Sequence, residues 1–274
     1  MTTITVEISD NSYTKVKEFL DEKYKEYSKD IKKKEIDNKI IYYKDKCEYE
    51  NFVTIITELL TNCIINLYEN YLIDKIINDK YKCFNKMERD RVGQITMNLI
   101  YEDNDVVDRV IVIRRKLFVC EQLMKYLEIN ENIILEGFIN FRLKNYLKDL
   151  EYIIEKAADI YEKEKEYKEF IDLLKYFVEV QEPKIDVIYL TLHKNGKFDI
   201  CDKFKKDVSH LYLEEMKEDL LDNKFSNEDI LLGALITISP KKIILNNSYK
   251  GLLESDIIKT IATIFKHRLL VGKW

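Results

Sequence analysis

The residues of this chain that could support nucleophilic catalysis stand around a predicted turn in its C-terminal third. His193 precedes Asn195-Gly196, a pair typical of tight β-hairpins, and Cys201 and Asp202 follow it. Two strands joined by this turn could bring the thiol of Cys201 to the imidazole of His193, as cysteine nucleophiles require. No oxyanion-hole motif accompanies the pair. We therefore favour the alternative in which Cys201 is a small apolar residue at a strand end.

The sequence lacks the patterns typical of nucleotide, metal and disulfide sites. Neither of the common glycine-rich phosphate-binding motifs occurs, and the chain has 6 glycines in all. The 3 histidines lie far apart and the 5 cysteines form no C-x-x-C pair, so neither zinc ligands nor a disulfide framework is indicated. Aspartate and glutamate are too numerous for a catalytic pair to stand out. We expect no cofactor, no bound metal and no catalytic residue.

The charge of the chain disfavours nucleic-acid binding. Its formal net charge is -5 at pH 7, whereas affinity for a phosphate backbone needs clustered basic residues. The two basic runs, Lys32-Lys33-Lys34 and Arg114-Arg115-Lys116, are short, and acidic residues lie near each of them. We interpret both runs as solvated surface.

The chain also shows no targeting or membrane-spanning pattern. Residues 2–9 alternate and include Glu7, unlike the apolar run of a secretion signal. The most apolar stretches, 52–68 and 230–238, are too short to span a bilayer or are interrupted by Glu58. We predict a cytoplasmic protein without a membrane span.

The hydrophobic periodicity predicts an α+β fold that is predominantly helical. Residues 1–46 are expected to form a small N-terminal βαβ-like unit, with a strand at 3–8, a helix at 12–27 and a strand at 39–43. Residues 47–182 form a central long-helix bundle. Its predicted helices are at 50–72, at 85–101, at 105–127 with Asn104 or Asp105 as the cap, and along the segment from 133 to 182.

Residues 183–274 are predicted to form a C-terminal α/β region that contains a hairpin. The strands of the hairpin are expected at 185–192 and 198–200, and the later elements are helices at 210–221, 226–238 and 254–266 with strands at 242–245 and 268–271. Ser226 and Asp229 resemble a capping box at the start of the second helix. We expect the three regions to pack as one compact assembly.

The helical pattern between residues 133 and 182 is the longest in the chain and is expected to organise the fold. Pro183 ends it, and a bend at Gly137 or a break within the charged stretch 162–169 is compatible with it. Its apolar side includes Phe138, Phe141 and Phe177, which we expect to be buried. Arg142 lies beside this face, where its stem could pack while its guanidinium binds a carboxylate or carbonyl groups. Phe138, Phe141 and Arg142 are our candidate interaction or structural-key residues.

Four runs of the sequence carry a resemblance to a known family. They are EGFINFRLK at 136–144, EYKEF at 166–170, KYFVEVQEP at 175–183 and ALITISPKKII at 234–244. These runs look like the YtxC-like family of sporulation proteins. That family is placed in endospore-forming Firmicutes, so the resemblance implies a role in endospore formation. It implies no catalytic residue, cofactor or partner.

Two hypotheses of function follow. The first is a non-enzymatic interaction protein linked to endospore formation, which binds an unknown protein partner and whose self-association is left open. The alternative is an enzyme or small-ligand binder with a polar site between the helical centre and the C-terminal region. A deep pocket that gathers Arg142 with a histidine or several carboxylates would favour the alternative.

Overall fold

Two four-stranded β-sheets organise the chain, one in each of two units, Met1–Glu162 and Lys163–Trp274. The computed structural model describes residues 3–101, 106–193, 197–209, 226–246 and 255–272, and it does not describe the side chains of 106–112.

The fold is α+β and predominantly helical, as predicted. No helix within these ranges is long and apolar enough to cross a membrane. The division into residues 1–46, 47–182 and 183–274 stays a prediction.

The first unit contains a mixed sheet with the strand order β2-β3-β1-β4. Strand β1, Thr3–Glu7, pairs antiparallel with β3, Lys39–Lys44, and parallel with β4, Asn132–Ile134. Strand β2, Ile31–Ile36, forms an antiparallel hairpin with β3. Side chains alternate along each strand, so that the core receives every second residue of β1 and β3: Ile4, Val6, Ile40 and Tyr42.

Two strands of this sheet were not predicted. Strand β2 contains the basic run Lys32-Lys33-Lys34, whose charged side chains suit the edge of a sheet. Strand β4 takes the place of the first residues of the predicted long helix, and its Ile133 is buried opposite Val6. The N-terminal part is therefore a β-α-β-β arrangement with an antiparallel hairpin. The sequence pattern missed both strands because one is rich in lysine and the other has three residues, too few to show alternation.

The helices of the first unit pack their apolar faces into one core. They are α1 (Tyr13–Tyr24), α2 (Tyr49–Cys63), α3 (Glu69–Lys80), α4 (Lys86–Tyr101), α5 (Val106–Leu127), α6 (Leu135–Arg142) and the part of α7 (Lys144–Val180) up to residue 162. These elements confirm the helices predicted between residues 12 and 127, while the caps proposed at Asn104 and Asp105 lie outside the described residues. Helix α4 begins with an unpredicted capping box between Asn85 and Glu88.

Helices α6 and α7 are separated by one residue, Leu143, whose φ and ψ are -100° and 31°. The break lies neither at Gly137 nor in the charged stretch 162–169, which is continuous helix. Phe138 and Leu143 are both buried, although an unbroken helix would set these two side chains about 140° apart. The break therefore allows both side chains to reach the core.

The second unit contains a mixed sheet with the strand order β6-β5-β7-β8. Strand β5 (Val187–Leu192) pairs antiparallel with β6 (Phe198–Cys201) and parallel with β7 (Lys242–Asn246), and β7 pairs parallel with β8 (Leu269–Gly272). The last part of α7 and helices α8 (Asn227–Ile238) and α9 (Asp256–Phe265) complete its core.

The elements predicted for this unit are confirmed wherever the structure describes them. The Ser226–Asp229 capping box opens α8, because each residue accepts a hydrogen bond from the backbone amide of the other at 3.0–3.1 Å. Ser239 ends α8 in the left-handed conformation, with φ 41°, directly before Pro240. The turn at Asn195-Gly196 and the helix predicted at 210–221 lie outside the described residues.

Candidate functional site

A π-helical turn, Ile64–Tyr68, joins α2 to α3 and directs two consecutive polar residues into the interior of the first unit. Tyr68 and Glu69 are both buried, although neighbouring residues of an α-helix point about 100° apart. Each has its own hydrogen-bond network. Single π-helical turns within α-helices are frequent at functional sites, so both networks are candidates.

The first network is centred on the carboxylate of Glu136, in the first turn of α6. Its Oε1 accepts hydrogen bonds from the hydroxyl of Tyr68 at 2.5 Å and from Ser9 Oγ at 2.8 Å, and its Oε2 accepts one from the backbone amide of Ser9 at 3.2 Å. Burial alone would raise the pKa of Glu136, but these hydrogen bonds outweigh burial and hold that pKa below its ordinary value of 4.5. Glu136 is therefore a carboxylate at neutral pH.

The Tyr68→Phe substitution is expected to raise the pKa of Glu136, because it removes the shortest of these hydrogen bonds. In the wild type, the lowered pKa of Glu136 contributes stability that is present above about pH 4.5 and is lost as the pH falls through the lower, folded-state pKa. Carboxyl-carbon NMR titration of both proteins measures the shift, and urea unfolding at pH 7 and pH 4 measures the stability. A pKa of Glu136 that is the same in both proteins would contradict this account.

An open cavity lies beside this carboxylate and has a volume of about 530 Å³. We call it the Glu136 cleft. Its polar lining combines residues from the segment before α1, the first turn of α1, the π-helical turn, α3 and α6: Ser9, Asn11, Ser12, Lys15, Asn66, Asn70, Lys75, Glu136 and Asn140. The whole lining belongs to the first unit. No motif in the sequence marks this cleft, because its residues are dispersed between positions 9 and 140.

The second network surrounds the buried carboxylate of Glu69. Its Oε2 accepts hydrogen bonds from Arg115 Nη1 at 2.9 Å and from the hydroxyl of Tyr146 at 2.8 Å, and its Oε1 accepts one from the hydroxyl of Tyr101 at 3.1 Å. Arg115 is 2% exposed and Glu69 0%. Burial and the Glu69 charge raise the pKa of Tyr101 to about 12. Since the pair is enclosed, we interpret this network as the link between α3, α4, α5 and α7.

Arg115 is the middle residue of a basic run that we had interpreted as solvated surface, and for this residue the interpretation was wrong. Arg114 and Lys116 are exposed, whereas Arg115 points inward and pairs with Glu69. Consecutive helical residues diverge by about 100°, so a run of three cations cannot present all of its charges on one face.

The candidate residues of the long segment have different environments. Phe138 is buried, as expected. Its ring lies 5.3 Å from that of Tyr126, measured between centroids. Phe141 is 74% exposed, which corrects the prediction that it is a core residue. The buried positions of α6 are Leu135, Phe138 and Ile139, and Phe141 lies about 240° from Leu135 around the helix.

Arg142 is exposed, and its guanidinium carbon lies 5.9 Å from the centre of the Tyr126 ring. It lines an open cavity of about 690 Å³ that contains no histidine and a single carboxylate, Glu7, among its described residues. Glu7 pairs with Lys39 at 3.0 Å. The gathering of polar groups that would favour a ligand site at Arg142 is therefore not found there. The roles of Phe138, Phe141 and Arg142 as key residues stay predictions.

The structure does not bring Cys201 to His193. Cys201 pairs with Tyr189 in the strand register, four residues before His193 and hence about 13 Å away along β5. His193 Nε2 lies instead 2.6 Å from an oxygen of Asp199. Burial and the neighbouring aspartates raise the pKa of the Cys201 thiol, which disfavours the reactive thiolate. The described residues also contain no cluster of three histidine, cysteine, aspartate or glutamate side chains placed to hold a metal ion.

The last three turns of α7 present an apolar surface to solvent. Ile171 and Val178 form the buried face of this part of the helix, and they lie within about 20° of each other. On a different side, five large apolar side chains are between 46% and 60% exposed: Phe170, Leu173, Tyr176, Phe177 and Val180. We call these five residues the α7 surface. Phe177 had been predicted to be buried, but it lies about 240° from Ile171.

Comparisons with known proteins identify similar sequences. The model of a family described as the YtxC-like family matches residues 54–270. A curated relative, "Uncharacterized protein YtxC" of Bacillus subtilis (strain 168), is 24% identical over 218 residues, which cover 77% of this chain and 74% of the relative. No solved structure gives a significant match.

Proposed function

The chain belongs to the YtxC-like family, and from this premise we propose a cytoplasmic, non-enzymatic protein that acts in endospore formation by binding another protein. The sporulation context follows from the resemblance to the family. The mode of action rests on the α7 surface, where five large apolar side chains are exposed together on one helix. Contiguous exposed apolar patches of this kind are typical of protein–protein interfaces.

The α7 surface has the spacing of a helix that docks against another helix. Phe170, Leu173, Phe177 and Val180 recur at intervals of three and four residues, so they form a continuous stripe. Two of these four residues are aromatic, and aromatic side chains contribute strongly at interface centres. Burying the stripe against an apolar helix face would remove it from water, which is favourable by roughly 25 cal/mol for each Å².

Charge at one end of the stripe indicates the chemistry of the partner. Glu166 and Glu169 lie on the same side of α7, one turn before Phe170 and Leu173, and both are exposed. Neither of these carboxylates has an ion pair among the described residues. We therefore propose that the partner is an amphipathic helix of another protein, with an apolar face and lysine or arginine residues opposite Glu166 and Glu169.

A photo-crosslinking amino acid at position 173, introduced in sporulating cells, tests this partner directly. We expect a crosslink to one protein, within a segment that has apolar residues at helical spacing and basic residues near one end. The matched control carries the same crosslinker at Lys168, an exposed position about 140° away around the helix. Equal crosslinking at both positions, no crosslink at 173, or a crosslink to a second copy of this chain would contradict the proposal.

The double substitution Leu173→Asp and Phe177→Asp is expected to abolish capture of that same protein, because two carboxylates would have to be desolvated in the interface. Since both positions are exposed, the free energy of unfolding should change by less than about 1 kcal/mol. Pull-down and urea unfolding measure the two quantities. Retained capture would exclude the α7 surface as the interface.

Deleting the gene in its own host tests the process separately. We expect fewer heat-resistant spores, with recovery by the wild-type gene and not by the double aspartate variant. A deletion strain that sporulates at wild-type efficiency would argue against a role in endospore formation.

A further inference from the structure

We propose that the Glu136 cleft is a binding site for a small organic anion that carries several hydroxyl groups, with the size and chemistry of a sugar phosphate. The inference does not depend on the α7 surface. It rests on the shape of the cleft, on the charge of its lining and on side-chain amides that have no partner in the described part of the chain.

The residues that line the cleft carry a net positive charge. Its ionisable side chains are Lys15, Lys75 and Glu136, apart from two tyrosines, so two cations face one carboxylate and leave one net positive charge. Glu136 is already bound by Tyr68 and Ser9. Neither Lys15 nor Lys75 forms an ion pair with any described residue. Two unpaired ammonium groups beside one cavity suit a phosphate or carboxylate group, since lysine acts as a point charge for such anions.

The amides of the lining suit hydroxyl groups. Asn11, Asn70 and Asn140 border the cleft, and their side chains have no hydrogen-bond partner among the described residues. Each amide offers two donors and one acceptor oxygen. A hydroxyl group both donates and accepts, so it can satisfy either end of such an amide.

The volume and the remaining lining fit a molecule larger than an ion. The cavity of about 530 Å³ lies within the range of roughly 300–1,000 Å³ that is typical of small-molecule sites. Apolar residues also line the cleft, among them Val16, Leu72 and Ile139, and the ring of Tyr71 is exposed at the same cleft. This combination of apolar and cationic lining residues is suited to the carbon face and the charged end of a sugar phosphate.

Isothermal titration calorimetry of the full chain tests the proposal, with glucose 6-phosphate, glucose and inorganic phosphate as separate probes. We expect saturable binding of glucose 6-phosphate, and weaker binding of the other two. The double variant Lys15→Gln and Lys75→Gln should weaken glucose 6-phosphate binding by at least about tenfold. Asn70→Ala should weaken the binding of glucose 6-phosphate and leave the affinity for inorganic phosphate unchanged, because we propose that the Asn70 amide binds hydroxyl groups of the sugar.

The matched control is the double variant Lys29→Gln and Lys82→Gln, which removes two exposed lysines outside the cleft and changes the net charge by the same amount. It should bind glucose 6-phosphate like the wild type. Three results would overturn the proposal: no saturable binding of glucose 6-phosphate at millimolar concentration, equal affinity for inorganic phosphate, or equal weakening in the control. Thermal unfolding curves of each variant show whether a loss of binding comes from a loss of fold.

Discussion

Replacing Arg115 with methionine is expected to lower the free energy of unfolding by about 3–5 kcal/mol. The substitution removes the only cation that faces Glu69 among the described residues, and it leaves a carboxylate that is 0% exposed without its counter-charge. Tyr146 and Tyr101 still donate to this carboxylate, but two neutral hydroxyl groups do not replace a guanidinium in a medium of low dielectric constant. Urea unfolding followed by circular dichroism measures the change.

Arg114→Met is the matched control, because Arg114 is the preceding residue of the same helix and is exposed. It should change the free energy of unfolding by less than about 0.5 kcal/mol. The double variant Glu69→Leu and Arg115→Met should be more stable than Arg115→Met alone, since removing both partners leaves no unpaired buried charge. If the two single arginine variants were equally stable, the network around Glu69 would not be structural.

Phe138→Ala and Phe141→Ala are expected to differ widely in stability, although the two phenylalanines are three residues apart in one helix. Phe138 is 5% exposed and packs against Tyr126, so its truncation should cost about 3–5 kcal/mol through lost burial and an internal cavity. Phe141 is 74% exposed, and its truncation should cost less than about 0.5 kcal/mol.

The same urea unfolding experiment measures both variants, and each serves as the control for the other. Phe141→Leu adds a test of the exposed position, since it keeps an apolar side chain there and should match the wild type. A large loss of stability in Phe141→Ala would mean that the ring is covered in the folded protein, and the orientation assigned to α6 would then be wrong.

The two proposed binding features draw on different parts of the chain. The α7 surface lies entirely within the residues matched by the YtxC-like family model, which begin at 54. Part of the Glu136 cleft does not, because Ser9, Asn11, Ser12 and Lys15 precede that match. Glu136 and Asn140 fall inside it. The cleft therefore combines the family region with the N-terminal residues of this chain.

Patterns along the chain were enough to predict most of the helices, the hairpin strands of the second unit and the resemblance to the family. Helical periodicity, the helix end before Pro183 and the capping box at Ser226 are local signals. They depend only on residues close in sequence, so they can be recognised before the fold is known. Strand β1 and the helices α2 and α5 were predicted for this reason. The sequence also shows directly that it contains no glycine-rich phosphate-binding motif and no histidine or cysteine spacing typical of zinc ligands.

Which side of each helix is covered, and which distant polar groups meet, depends on the packing of the folded chain. Phe138 and Phe141 belong to one apolar pattern, yet one is buried and the other is exposed, because α6 packs against the core through Leu135, Phe138 and Ile139. Glu69 meets Arg115 across 46 positions, and Glu136 meets Ser9 across 127. Hydrogen bonds and burial depend on spatial neighbours, and the order of residues along the chain does not fix those neighbours before the sheets and helices have packed.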